Sequence, residues 1–455
     1  MTVQPSLPHP SAALKGGSGE IPTLCVSNAV DTLRGIAQRA PEVEAEAIIS
    51  SCFAQQDQAI FWRPVEKLII TSTPITGLDW QTEFLGLQGI QNDSPRSSSG
   101  SLFADILYDL RLMARIARHA GEGRQLRLIP HTTTSDLWAF AAAMRRNFDV
   151  TVELPESSED QRLRDLLDTK SGLRDLAVGA GLANGPCRVA QGEHCRNTQQ
   201  VVTAVAEMQA AGRSCIVKAD KGEASVGLLL FQPGDSEDKI VRALEGSPFY
   251  GDDLIVVEEY ITGEGVVFPS VEYIVPDTDS APYLTHACEM LFDSPTQLMG
   301  NVTSRSLANQ AWHRHLLAGG QAIAEELQRR GYRGHFGIDA VARADGEVFM
   351  LDLNARRTGS THLHDFGLQF FGPEYLTSWA VGNFDFPGLP EGLTVKEVVS
   401  LLGPLVRSPP HARSGVVPCE LSGLAKGRFG TVIYASSMAE FHHLVRQVHE
   451  RIQQG

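Results

Sequence analysis

The chain has 455 residues, of which 42% are hydrophobic and 20% charged, with 42 Gly and 24 Pro. This is globular usage over a length that suggests about three domains, loop-rich but not a disordered polymer. The formal charge of −15 argues against a broad nucleic-acid footprint, which needs a basic face; it leaves room for a local cationic pocket around an anion and for cationic substrates.

Residues 1–20 (MTVQPSLPHPSAALKGGSGE) lack a charged segment followed by an apolar one, so no signal peptide is expected, and their Pro, Ser and Gly predict a disordered tail. From 21 to 155, short apolar runs alternate with helical stretches. Strands are predicted at 23–27, 67–72, 126–129 and 150–152, and helices at 102–118 and 135–146. That alternation predicts an α/β domain with a parallel sheet. Residues 92–101 (NDSPRSSSGS) read as a loop. A polar connection leads into one helix ending in DLLDTKSGLRDLAVGAGL. Strands then follow at 215–218 and 225–231 around a Lys/Gly turn, and at 254–259, 265–275 and 283–292. The stretch 310–330 is a long amphipathic helix. Residues 335–344 and 348–353 form a hairpin about Asp345-Gly346, a strong turn signal. The Pro/Gly-rich stretch 384–393 reads as a linker to a small tail, which ends in a strand at 431–435 and a helix at 437–453.

Several chemistries are excluded. Gly-Lys never occurs, so there is no GxxxxGK[ST] phosphate loop; GxSxG and HExxH are also absent. GAGLANG (179–185) misses the dinucleotide spacing and follows a helix rather than a strand. The seven cysteines form no CxxC pair, which reads as reduced thiols in a cytoplasmic protein. No apolar run approaches the roughly 18 residues of a membrane span, so no membrane partner is expected.

The strongest positive signal is GHFGIDAVARADGEVFMLDLNARRTGSTH, residues 334–362. Asp352 and Asn354 lie two apart on one strand and so face one side. Asp339, on the preceding strand, can lie across from them. Three oxygen side chains then converge in a way that suits Mg²⁺ bridging phosphates. A polar hairpin on the surface is the alternative, but Asp and Asn are depleted in strands and these two follow an apolar FML. In SCIVKADKGEASVGLLLF (214–231), Lys218 ends a strand before a small-residue turn whose amides can hold phosphates. In LIVVEEYITGEG (254–265), backbone groups at a strand exit can pair with an adenine edge. Each of these two segments, alone, is equally an ordinary hairpin or edge strand.

In this order the three segments resemble the ATP-grasp superfamily over about residues 160–385. The resemblance implies an α/β and α+β chain: an N-terminal α/β (pre-ATP-grasp) domain at 21–155, an ATP-grasp domain at 156–390 with a lid at about 180–262, and a small C-terminal α+β domain at 391–455. It implies ATP and Mg²⁺ as cofactors. Lys170 and Lys218 are then the two nucleotide-binding lysines, with Lys221, Gly222 and Ser225 in the glycine-containing turn. Glu258, Glu259, Tyr260 and Ile261 correspond to the adenine hinge, and Glu264 to the ribose carboxylate. Asp339, Asp352 and Asn354 correspond to the metal ligands, with Asp where most of the superfamily has Glu. Arg356 matches the residue that stabilises the transferred phosphate. Many relatives carry a further Arg where this chain has Gly337, and Arg305 or Arg357 is the implied replacement.

Within the superfamily, LDLNARRTGSTH and the small following domain look most like the pheganomycin-type peptide ligases. The implied activity is an ATP-dependent carboxylate–amine ligase working through an acylphosphate. It would join an amino-acid-like acid to an amino acid or short peptide in antibiotic biosynthesis, with small-molecule substrates and a homodimer as the commonest assembly. The rivals are an ATP-grasp kinase, a ligase that loads a carrier protein, and a nucleotide-binding protein without turnover.

Overall fold

The computed structural model describes residues 21–158, 160–221, 227–250, 254–294 and 297–454. The expected disordered tail lies outside the described residues. Strands β1 (Thr23–Val26), β2 (Lys67–Ile70), β3 (Ile90–Asp93), β4 (Gln125–Pro130) and β5 (Thr151–Glu153) form a parallel sheet in the order β3-β2-β1-β4-β5. Helices cover both faces, and so β1 and β2 are buried along their whole length. β3 falls partly in the stretch read as a loop. It is a polar edge strand, held to β2 by its ladder and by the Asn92 amide, which donates to Ile69 O and Thr71 Oγ1. The helix expected at 102–118 is two helices, Leu102–Tyr108 and Leu110–His119. Asp109 breaks the run by capping the second, accepting from Leu112 N–H.

Strand order reverses between β1 and β4, the position where such sheets open a crevice. Asn28 staples this point: its Oδ1 accepts from the N–H groups of His131 and Thr132, and its Nδ2 donates to Thr132 O. The rest of the molecule docks here, through Arg164 to Thr132 Oγ1 (2.7 Å) and Arg357 N–H to His131 O.

The helix expected before residue 182 is also two helices, Gln161–Leu167 and Lys170–Gly179. Thr169 starts the second by accepting from Gly172 N–H, which puts Lys170 at its first position. Beyond it lie β6 (Cys187–Val189), β7 (Gly192–Cys195), β8 (Cys215–Ala219), β9 (Leu229–Phe231) and β10 (Ile255–Glu259). Four of these make an antiparallel sheet, β7-β10-β8-β9. Helices Thr198–Ala210 and Glu237–Glu245 pack on it through Val201, Val205, Ile240 and Leu244. This sheet falls within the 180–262 region read as a lid; β6 instead pairs parallel with the strand Val348–Asn354.

The remaining strands are β11 (Pro269–Val275), β12 (Tyr283–Ser294), β13 (Gln297–Ser304), β14 (Gly334–Ala342), β15 (Val348–Asn354), β16 (Ala380–Pro387), β17 (Gly415–Cys419) and β18 (Arg428–Ala435). With β6 they form one nine-stranded sheet, β17-β18-β16-β13-β12-β11-β14-β15-β6. The stretch read as a linker therefore begins inside a strand, with β16 paired on both sides. β16 is buried on both faces; its Asn383-Phe384-Asp385-Phe386 alternates, but the Pro and Gly that follow from Pro387 make the stretch read as a linker. Helix His313–Arg329 covers one face of β11 and β14, packing on Tyr273, Phe336, Ile338 and Ala340. The alternate residues of β14, Gly337, Asp339 and Val341, point the other way.

Candidate active site

A bulge sets the phase of the metal hairpin. Asp339 pairs with Asp352, but Ala340 pairs with Met350, leaving Leu351 as the extra residue. Met350 thus stays in the core with Ala340 while Asp352, two residues on, turns to the opposite face. Asp339, Asp352 and Asn354 come together as the sequence predicts. Asn354 Nδ2 donates to Asp339 Oδ2 (2.9 Å), and Arg356 donates to Asn354 Oδ1 (2.8 Å). Burial foremost, and the Asp352 charge next, push the Asp339 carboxyl above its ordinary range; Ser270, Asn354 and Arg356 pull against this. Two facing carboxylates under such repulsion suit a divalent cation. Among the described residues no group of three His, Cys, Asp or Glu is placed to hold a metal. The donor set is two carboxylates and one amide oxygen, leaving the other positions for phosphate and water, which fits Mg²⁺.

Lys170 reaches the same place from its helix and forms an ion pair with Asp352. Its backbone N–H donates to Asp220 O, and the Asp220 carboxylate takes Ser171 N–H (2.8 Å) and Ser171 Oγ (3.0 Å). Asp220, two residues past Lys218, thereby locks the start of the Lys170 helix to β8, which carries Lys218. Lys218 is buried and pairs with Glu258 at 2.8 Å; Arg174 pairs with the other Glu258 oxygen, also at 2.8 Å. Burial alone would raise the Glu258 pKa, but Lys218 and then Arg174 outweigh it and hold it below the ordinary value. The Glu258 side chain therefore orients Lys218 rather than meeting a base.

The hinge beyond it is shaped by its backbone. Glu259 N–H donates to Gln191 O and Tyr260 N–H to Ser214 O. Ile261 N–H has no backbone partner among the described residues. Glu259, Tyr260 and Ile261 line a cavity of about 680 Å³ with Lys170, Lys218, Asp339, Asp352, Asn354 and Arg356. At the hinge end its walls are apolar: Ile216, Ile261, Phe268, Met290, Val341 and Leu351. A flat aromatic base fits such a slot, with polar hinge groups at its edge.

Not every expected residue arrives. Glu264 is exposed in the turn after the hinge and is not part of the lining. Lys221 is exposed too, while Gly222 and Ser225 lie outside the described residues. Arg305 is exposed in the short helix after β13, whose other end, Gln297–Asn301, is what lines the cavity. It does not replace the missing arginine. Nor does Arg357, which is 4% exposed, holds both Glu156 oxygens at 2.7 and 2.8 Å, and lies over the Trp62 ring at 4.9 Å. Position 337 itself has no room for an arginine: a Cβ there would lie 2.6 Å from Thr358 Cγ2.

Residues 355–360, which carry Arg356, are anchored from below by a polar network that sequence reasoning missed. Glu272 on β11 accepts from Thr358 Oγ1 (2.7 Å) and Thr361 Oγ1 (2.6 Å), and pairs with His335 Nδ1 (2.9 Å). Ser360 meets His286 Nε2 at 3.0 Å. Burial and Arg357 oppose a charge on His335, but Glu156 and Glu272 win and raise its pKa to about 9. Burial works against the Glu272 charge as well, yet His335 and its other donors bring it down to about 2. The only sequence signal was a Glu in a largely apolar strand.

Residues 196–360 match the family model of the ATP-grasp domain. Biotin carboxylase from Campylobacter jejuni, solved as a β,γ-ATP complex, superposes with a TM-score of 0.58 at 12% identity, over 93% of this chain and 89% of that one. An N5-carboxyaminoimidazole ribonucleotide synthetase, solved as its ADP complex, gives 0.54 at 13% identity over 94% and 97%. The N5-carboxyaminoimidazole synthetase from Staphylococcus aureus gives 0.53 at 9% identity over 95% and 97%. No curated protein matches the sequence. The chain thus has the ATP-grasp fold, with a parallel N-terminal sheet ahead of the stretch that matches the ATP-grasp domain.

Proposed function

We propose that the protein is an ATP-dependent carboxylate–amine ligase. The observation that carries this reading is the convergence of Lys170, Lys218, Asp339, Asp352, Asn354 and Arg356 on one cavity, next to an apolar slot with a hinge edge. Lys218 and Lys170 would hold the nucleotide phosphates, and Ile261 N–H with the Glu259 carbonyl the base. Asp339, Asp352 and Asn354 would hold Mg²⁺, which supplies charge neutralisation at the phosphates when bound. A substrate carboxylate oxygen attacks the γ-phosphorus and the bond to ADP breaks. Arg356, a planar fork suited to phosphate, stabilises the charge spread over the phosphoryl oxygens. An amine then attacks the acyl carbon, phosphate departs with the C–O electron pair, and the nitrogen loses a proton. No protein nucleophile is required. The lid must exclude water until the amine arrives. The finer reading, a peptide ligase of the pheganomycin type acting in antibiotic biosynthesis, rests on LDLNARRTGSTH and the small C-terminal segment.

Hydroxylamine trapping tests this reading. With ATP, Mg²⁺ and a panel of acids, the acylphosphate should be intercepted as a hydroxamate, and an added amine should compete it away. A stable phosphoester without hydroxamate would establish a kinase in its place, and the absence of both products and of ADP a binder without turnover.

A further inference from the structure

The cavity does not end at the arginine loop. A Cβ on Gly359 would lie 3.7 Å from Asn301 Nδ2 and 4.0 Å from Gln55 Nε2, and these residues line the same cavity, so it continues past the loop into a further chamber-like end. Asn301 on β13 and Asn383 on β16 are direct partners, 6% and 7% exposed, and both line it. Asn383 Oδ1 accepts from Asn301 N–H (2.9 Å) and Asn301 Nδ2 (3.4 Å). Among the described residues this leaves Asn301 Oδ1 and Asn383 Nδ2 without a partner. An acceptor and a donor, each on a mostly buried side chain, thus face the chamber and are open to a ligand there.

Two residues along β16, about 7 Å away, stands Asp385, with Arg428 on one oxygen at 2.6 Å. Glu420 joins it in the lining from the C-terminal segment. It is 4% exposed, with Gln58 donating to its Oε1 at 2.8 Å. Lys426, which lines the cavity beside Arg428, is taken by Glu46. Two carboxylates therefore share one guanidinium. Burial foremost pushes both carboxyls above their ordinary range, and Asp385 raises Glu420 further.

Resting on the ligase reading above, we propose that this chamber is the amine-substrate subsite, and that it selects an amine bearing a second ammonium or guanidinium group seated between Asp385 and Glu420. The unpartnered amide atoms take the reacting end beside the arginine loop. The separation from Asn383 to Asp385 matches the reach of a basic amino acid. Neither the metal strands nor the hinge takes part in this selection.

Calorimetry on the full chain with Mg²⁺ and a non-hydrolysable ATP analogue tests the proposal without turnover. The probes are L-ornithine, L-lysine and L-arginine against the uncharged isosteres L-norleucine and L-citrulline. At least one cationic probe should bind at least about tenfold more tightly than its isostere. Glu420→Gln should abolish that preference while leaving affinity for the ATP analogue in place. Asp385→Asn provides the same comparison if Glu420→Gln does not fold. Equal binding of the isosteres, no binding of any cationic probe, or a preference that survives both substitutions would overturn the proposal. Because hydroxamate formation needs only ATP, Mg²⁺ and the acid, it reports on the ligase reading separately.

Discussion

Asp352 contacts Lys170 and faces Asp339, yet contributes nothing to the apolar core. Asp352→Ala is therefore expected to abolish ADP release while the circular dichroism spectrum is unchanged, whereas Asp352→Glu should keep part of the rate. Full Mg²⁺-dependent activity in Asp352→Ala would remove the metal assignment. Lys218 behaves differently because it is buried against Glu258. Lys218→Ala should weaken nucleotide binding by on the order of 1.5–3 kcal/mol, as for a hydrogen bond to a charged group. It should also lower stability by about 1–3 kcal/mol, since Glu258 loses one of its two buried cationic partners and keeps Arg174. Combining Lys218→Met with Glu258→Gln separates the two effects. Melting should largely recover, while calorimetry should still show the loss of ATP affinity. Wild-type affinity in that double variant would move the phosphate site elsewhere.

Residues 355–360 and the strands beneath them respond as a unit to pH and to packing. His335 gains proton affinity on folding, so its contribution to stability is whole below its ordinary value of 6.5 and is lost as pH climbs through about 9. Glu272 is the opposite case, contributing above its ordinary 4.5 and losing that contribution as pH falls toward about 2. Denaturant titrations should therefore show stability falling between pH 6.5 and 9 in the wild type, and a flatter profile in His335→Gln. An unchanged slope would mean that His335 is not held charged. Gly337→Ala, which pushes on Thr358, should lower kcat more than it raises the KM for ATP, because it displaces Arg356 and not the lysines. These strands also show how far a sequence can be read. Asp339, Asp352 and Asn354 were legible because they break strand composition at a fixed spacing. The bulge at Leu351, which turns them into the cavity, left no mark, since Phe-Met-Leu reads the same with or without it. β16 escaped notice because the Pro and Gly from Pro387 onward outweigh the short alternating Asn383-Phe384-Asp385-Phe386, and the break at Thr169 because apolar residues recur at helical spacing on either side of it. Glu272, Asp385 and Glu420 lie far from the motif in sequence, and only strand order brings them to it.

At the scale of the molecule, the C-terminal segment is part of the same body as the site. One apolar core holds Cys25, Trp62 and Ile129 from the N-terminal region, Phe366 and Tyr375 beside the arginine loop, and Val417, Val432 and Tyr434 from the last strands. Removing residues 391–455 would strip β18 from β16 and open this core, so the truncated chain should fail to give the cooperative melting transition of the full one. A truncated chain that melts cooperatively and still binds ATP would show the segment to be an appendage. The seven thiols are all buried, but in different places. Cys195 and Cys215 sit in the core of the four-stranded sheet proposed as the lid, whereas Cys25 and Cys419 sit in the core that joins the N-terminal region to the last strands. A thiol reagent is thus a clock with two hands. It should modify the lid pair whenever the lid sheet opens alone, and the other pair only when the whole body opens. The ratio of the two rates times lid opening, and adding nucleotide should slow the lid hand far more than the other.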